Sequence, residues 1–112
     1  MHDKKYQQRT HHLRVARANT FLARLAGLMF RKSLRPLEGL LLSPCRSVHT
    51  CFMRFPIDIV FLSDDYRVVG VVEQLAPWRV AGGHVGTRQV LELAAGSVQQ
   101  IGIQLGDYLC LP

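Results

Sequence analysis

The chain has no apolar run approaching the roughly 20 residues that a bilayer-spanning helix needs, so no membrane contact is expected of it. Its first nineteen residues, "MHDKKYQQRTHHLRVARAN", hold no hydrophobic stretch of the kind a secretory leader carries, and the expected compartment is the cytoplasm. Cysteine is scarce and odd in number (Cys45, Cys51 and Cys110), which argues against a secreted disulfide framework. Neither G-x-G-x-x-G nor a Walker pattern occurs, so no phosphate loop and no nucleotide cofactor is implied. Acidic residues are nearly missing from the N-terminal third: residues 1–35 carry nine Lys/Arg against one acid, a balance of +8. Residues 36–112 carry five against seven, a balance of −2, so the net charge of +6 resides in the first third.

A length of 112 residues, 48% hydrophobic and 20% charged, fits one globular domain with one modest core. Residues 1–12 are expected to form a basic, flexible arm and residues 13–112 the domain. Such an arm can bind nucleic acid or an anionic surface. Without interleaved aromatics or a helix-turn-helix pattern, a solvated terminus is the favoured reading. His11-His12 in this arm is read in the same way.

The segment "HLRVARA" reads as a strand. Thr20 can cap a short helix through "FLARLAGLMF", where Phe21, Leu22, Leu25, Leu28 and Met29 make one apolar stripe. "GLLLS" and "QVLEL" read as strands. "IDIVFL" is apolar on both faces apart from Asp58, and "SDDY" turns it into a hairpin with "RVVGVVEQL". "APWRVAGGHVGT" reads as a Gly-rich functional or mobile loop. "GSVQQIG" reads as a one-turn helix, with Ser97 and Gln100 as a capping box and Gly102 as its stop. "YLCL" is the last strand. The expected fold is mainly β: a small antiparallel barrel or jelly-roll-like sandwich of six or seven strands with two short helices.

The densest chemistry lies in "SVHTCFMRFPIDIVFL". If residues 47–53 are extended, His49, Cys51 and Met53 share a face. Imidazole, thiol and thioether suit Cu(I), and Cys45 can join them, but free Cys and Met are also ordinary core residues. No bound metal is therefore expected. A thiol–imidazole pair of Cys51 or Cys45 with His49 needs a third, orienting group, for which Asp58 and Glu92 are candidates. Asp58 sits between isoleucines, and a buried carboxylate must be paired or hydrogen-bonded. Arg54, His49 and Arg79 are candidate partners. The alternative is a carboxylate that ties down a neighbouring turn by accepting backbone N–H groups, and this is the favoured one. Glu92 in "VLEL" either faces solvent or pairs with an arginine. Trp78 either stacks on a ligand or caps an open end of the fold.

The ordered set G-L-M, E-G-L, P-C-x-S-V-H-T-x-x-M, F-P-I-D-I-V-F-L, L-E-L-x-A-G and G-D, spread over about residues 20–109, resembles the DUF192 family, also catalogued as UPF0127. The resemblance implies a compact, β-rich domain of unknown function. Its motif positions fall on Gly27, Leu28, Met29, Gly39, His49, Thr50, Met53, Pro56, Asp58, Glu92, Gly96, Gly106 and Asp107. The chain departs from the family in "SDDY", where an Asp-Gly turn is usual. Cys51 stands at a variable position, which weakens a cysteine-based mechanism.

Three functions are expected in this order. The first is a small binding or accessory domain whose polar pocket around His49 and Asp58 also draws on Thr50, Met53, Arg54 and Trp78, for a small ligand or a protein partner. The second is a hydrolase-like enzyme with Asp58, His49 and Glu92 as acid–base groups. The third is nucleic-acid association through the N-terminal arm. Either a monomer or a homodimer is compatible with the sequence.

Overall fold

A computed structural model describes residues 8–18, 38–51 and 53–111. The central element is a five-stranded sheet in the order β2-β3-β8-β5-β6. Its strands are β2 (Arg14–Ala18), β3 (Glu38–Leu42), β5 (Ile57–Leu62), β6 (Val68–Leu75) and β8 (Gln89–Ala94). Two strand pairs flank it: β1 (Thr10–His12) with β9 (Tyr108–Cys110), and β4 (Ser47–His49) with β7 (Val80–Gly82).

The sheet is buried on both sides because its middle strands carry apolar residues at every parity. All six residues of β5 are buried, as are the first five of β8. Val60, Leu62, Leu41, Leu91 and Leu93 point to one face and pack with Leu13, Val98, Ile103, Leu109 and Leu111. Ile57, Ile59, Phe61, Leu40, Leu42 and Val90 point to the other, where Val48 and Met53 cover them. Each buried Leu, Ile or Phe contributes about 1.5–3 kcal/mol relative to exposure. Gly39 on β3 keeps this layer tight: a Cβ there would stand 3.0 Å from both Leu91 and Leu93.

The mainly β expectation holds, and its finer details change. The described strands form three sheets rather than one closed barrel. Pairing is mixed, since β1–β9 and β2–β3 are parallel. The "SDDY" hairpin forms as expected between β5 and β6. The expected long loop contains β7, which pairs antiparallel with β4. Of the arm expected over residues 1–12, Thr10–His12 form β1, because Leu13 is buried behind it and draws the segment onto β9.

Among the described residues there is one short helix, α1 (Ser97–Ile101). The helix expected over residues 21–30, with Gly27, Leu28 and Met29, lies outside them. Gly102 stops α1 in the left-handed region (φ 86°), as expected. The capping box does not form: Gly96 is the N-cap, Ser97 is buried, and no side chain of the segment caps the turn.

Candidate functional site

The missing cap comes from Asp58, 40 residues earlier in the chain. Its side chain lies on the face shared with Leu93, its partner across β8. There it is fully buried, and Oδ2 accepts the N–H of Val98 at 2.9 Å. Oδ1 accepts the N–H of Gln74, also at 2.9 Å. Gln74 sits where the β5–β6 ladder slips by one residue between Ile57 and Ile59, and its φ is 52°. A bulge of this kind turns an N–H out of the ladder, and Asp58 takes it. One carboxylate thus satisfies a bulge and a helix start, which are two of the places where buried backbone donors are otherwise orphaned.

Thr50 does the corresponding work on the other side of the sheet. It is fully buried, and its hydroxyl donates to the Ala76 carbonyl at 2.6 Å while accepting the N–H of Arg79 at 2.8 Å. Its own N–H reaches the Arg79 carbonyl at 2.8 Å, and its carbonyl accepts from Trp78 at 3.0 Å and Met53 at 3.1 Å. Asp58 and Thr50 therefore hold the same short segment, residues 74–79, at its two ends.

That segment presents Trp78. Trp78 is 61% exposed, and its backbone is left-handed, with φ 64°. Such a conformation is an outlier for a bulky residue. Arg79 is exposed beside it, and Val80 follows at 75% exposure. The sequence singles out Trp78 and the loop from Ala76 onward that carries it, but not the two buried side chains, Thr50 and Asp58, that fix residues 74–79.

The other expected site residues are dispersed. His49 is half-buried on β4, opposite Val80 on β7. The strand ends at His49, and the Met53 N–H folds back onto the Thr50 carbonyl, so the alternation that was to align His49, Cys51 and Met53 stops after its first member. Met53 is buried in the apolar cluster, whereas Cys51 is half-buried in the turn. Among the described residues no group of three His, Cys, Asp or Glu side chains is placed to hold a metal ion. Arg54 is exposed. Glu92 is fully buried on the face of Leu40 and Ile59, opposite to that of Asp58. Asp58 thus shares a face with neither Glu92 nor the β4–β7 ribbon that bears His49.

Asp107, the last motif residue, is a third backbone clamp. It is 3% exposed and accepts from the N–H groups of Gln104 at 2.9 Å and Arg9 at 3.3 Å. His11 Nε2 stands 2.8 Å from Oδ2, the oxygen that also accepts from Gln104, while Arg9 reaches Oδ1. Burial acts to raise the carboxyl pKa. The His11 hydrogen bond, the two backbone N–H groups and the His11 charge outweigh it, and the net direction is below the ordinary value of 3.8.

Comparison with known proteins places this geometry in a family. The model of the DUF192 family, described as "Uncharacterized ACR", matches residues 3–111. A UPF0127 protein of Pyrococcus horikoshii is 36% identical over 93 residues, covering 80% of this chain and 80% of that protein. Another, from Pyrococcus furiosus, is 34% identical over 100 residues, covering 87% and 85%. A crystal structure of a protein of unknown function from Novosphingobium aromaticivorans is similar with a TM-score of 0.72 and 28% identity, over 82% of this chain and 70% of that one.

Proposed function

The chain belongs to the DUF192 family, and on that footing we propose that it is a small binding domain whose contact surface is the Trp78–Val80 segment beside His49. The observation that carries this reading is Trp78 itself, a large aromatic residue held 61% exposed on a left-handed backbone. Strained backbone persists where its surroundings over-determine it, and it concentrates at ligand clamps. Here the surroundings are Thr50 and Asp58, buried side chains spent on fixing residues 74–79. An exposed indole on a rigid support suits recognition, because it offers contact area with little rotamer entropy to lose. The ligand class is a small molecule or a protein segment with an apolar or aromatic group to stack on the indole.

Acid–base hydrolysis by Asp58, His49 and Glu92 is the less supported reading, since the two carboxylates project to opposite faces of one sheet.

Trp78 is the only tryptophan of the chain, so its emission reports this surface alone. The test is titration of the full chain with a panel of aromatic and aliphatic fragments, followed by indole fluorescence and by amide chemical shifts. Saturable responses confined to His49 and residues 78–80, lost in Trp78→Ala without a lower unfolding midpoint, are expected. Responses that never saturate, or that survive Trp78→Ala, would overturn the reading.

A further inference from the structure

The β4–β7 ribbon has a second end, and a different chemistry gathers there. Ser47 pairs with Gly82, and His49 with Val80. Arg46 and Gly83 therefore flank the ribbon's far end, about 13 Å from the Thr50–Arg79 end at the usual strand rise. Backbone hydrogen bonds tie the neighbouring segments together here. Gly83 N–H donates to the Arg46 carbonyl at 2.8 Å, Cys45 N–H to the Arg88 carbonyl at 2.9 Å, and Arg88 N–H to the Leu62 carbonyl at 2.8 Å. The loop between closes on itself, with Thr87 N–H on the His84 carbonyl at 3.1 Å.

Beside this frame lies an open cleft of about 310 Å³, whose lining residues include Arg46, His84, Thr87 and Arg88 and no carboxylate. Both arginines are exposed, and no ion pair or side-chain hydrogen bond of either is found among the described residues. Five arginines stand between residues 36 and 112, where acids outnumber them, yet two of the five line this one cleft. Thr87 is 2% exposed, and its Oγ1 is buried with no hydrogen-bond partner. A buried hydroxyl without a partner has lost its water and gained nothing in return, so an orphan of this kind asks for an explanation.

Two glycines make the arrangement sterically possible. A Cβ on Gly83 would collide with Thr87 Oγ1, so only glycine lets that side chain sit against this backbone. A Cβ on Gly70 of β6 would stand 3.0 Å from the His84 ring, which lies over the strand at that point.

We infer that this cleft is a binding site for a phosphate-type oxyanion, with Arg46 and Arg88 as the charged donors, Thr87 as the hydroxyl donor and His84 as a wall. Guanidinium groups match phosphate geometry and form charge-assisted, paired hydrogen bonds with it. Thr87 Oγ1 is closed off against Gly83, and it is satisfied when the 83–87 loop yields enough for an anion oxygen to reach it. Inorganic phosphate and a phosphomonoester share this chemistry. The site does not depend on the Trp78 surface and lies at the opposite end of the ribbon.

The experiment titrates the full chain with inorganic phosphate, with phosphoserine and with chloride at matched ionic strength, following amide and arginine side-chain resonances. Saturable shifts at Arg46 and residues 83–88 with phosphate, and not with chloride, are expected. Tighter phosphoserine binding assigns the site to a phosphomonoester, and equal binding assigns it to free phosphate. Arg46→Gln and Arg88→Gln change only exposed side chains and weaken the phosphate response about tenfold or more. Thr87→Val also weakens it, while raising the unfolding midpoint by removing the orphaned hydroxyl. Trp78→Ala leaves it intact. Absence of saturation, an equal response to chloride, or unchanged affinity in both arginine variants overturns the inference.

Discussion

Asp58→Asn keeps the shape of the side chain and removes one of its two acceptor oxygens, so either Gln74 or Val98 then faces an amide donor. One buried N–H is left unsatisfied, and a loss of about 1–3 kcal/mol is expected in urea unfolding with an unchanged m-value. Amide exchange at Gln74 and Val98 localises the damage, and equal protection in variant and wild type would falsify the clamp. Thr50→Val is the companion change. It leaves the Ala76 carbonyl and the Arg79 N–H without the hydroxyl that now joins them. A similar loss is expected, together with a shift in Trp78 emission as its support loosens. The sequence makes Asp58 conspicuous through burial among isoleucines, and the favoured backbone-tying role is the geometry found. It does not reveal that Asp58 and Glu92 face apart. That depends on the pairing of Asp58 with Leu93, and register between strands 30 residues apart is not written in local spacing.

At the level of the element, β1 is held to β9 by parallel pairing and by the clamp of His11 on Asp107. With the Asp107 pKa held below its ordinary value, the carboxyl is ionised near neutral pH, so Nε2 of His11 is the donor of that bond. The sign of the pH dependence follows. A carboxyl whose folded pKa is depressed contributes stability that is complete above its unfolded pKa and is lost as pH falls through the folded one. Attachment of β1 is therefore expected to persist down to about pH 4 and to weaken below it. His11→Ala removes the largest lowering influence on Asp107 and moves this loss to higher pH. Hydrogen exchange at residues 10–12 and 108–110 across an acid series measures it, and identical acid profiles for the variant and the wild type would refute the role given to His11. Strands with strong local patterns, β5 and β8, are legible in the sequence because most of their residues are apolar. β1 and β7 are three residues each, too short to display a period. They exist because a partner strand and a buried neighbour select them. The capping box at Ser97 is the converse case, a local signal overridden when a distant carboxylate reaches the helix start first.

Across the whole molecule, the two ends of the described chain complete one face of the core together. Leu13 N–H donates to the Cys110 carbonyl at 3.1 Å, and the Arg17 guanidinium to the Leu111 carbonyl at 2.7 Å. Leu13, Leu109 and Leu111 are all buried against Val60, Leu91 and Leu93. The side of the sheet that carries Asp58 therefore closes only after the last residues of the chain are in place. Removing residues 109–112 deletes two core leucines and two of the three residues of β9, the partner strand of β1. Each buried leucine truncated to a cavity costs about 2–5 kcal/mol, against a total of about 5–15 kcal/mol for a domain. The shortened chain is expected to lose its near-UV circular dichroism and its cooperative thermal transition as one event. The alternative is a local loss in which only β1 detaches, the sheet still melts sharply, and the Trp78 surface keeps its emission. That outcome would mean that β4–β7 and the sheet's second face fold without the first. The shared strands argue against it, because β3, β5 and β8 each send alternate residues into both clusters, and a strand cannot be ordered for one face and disordered for the other.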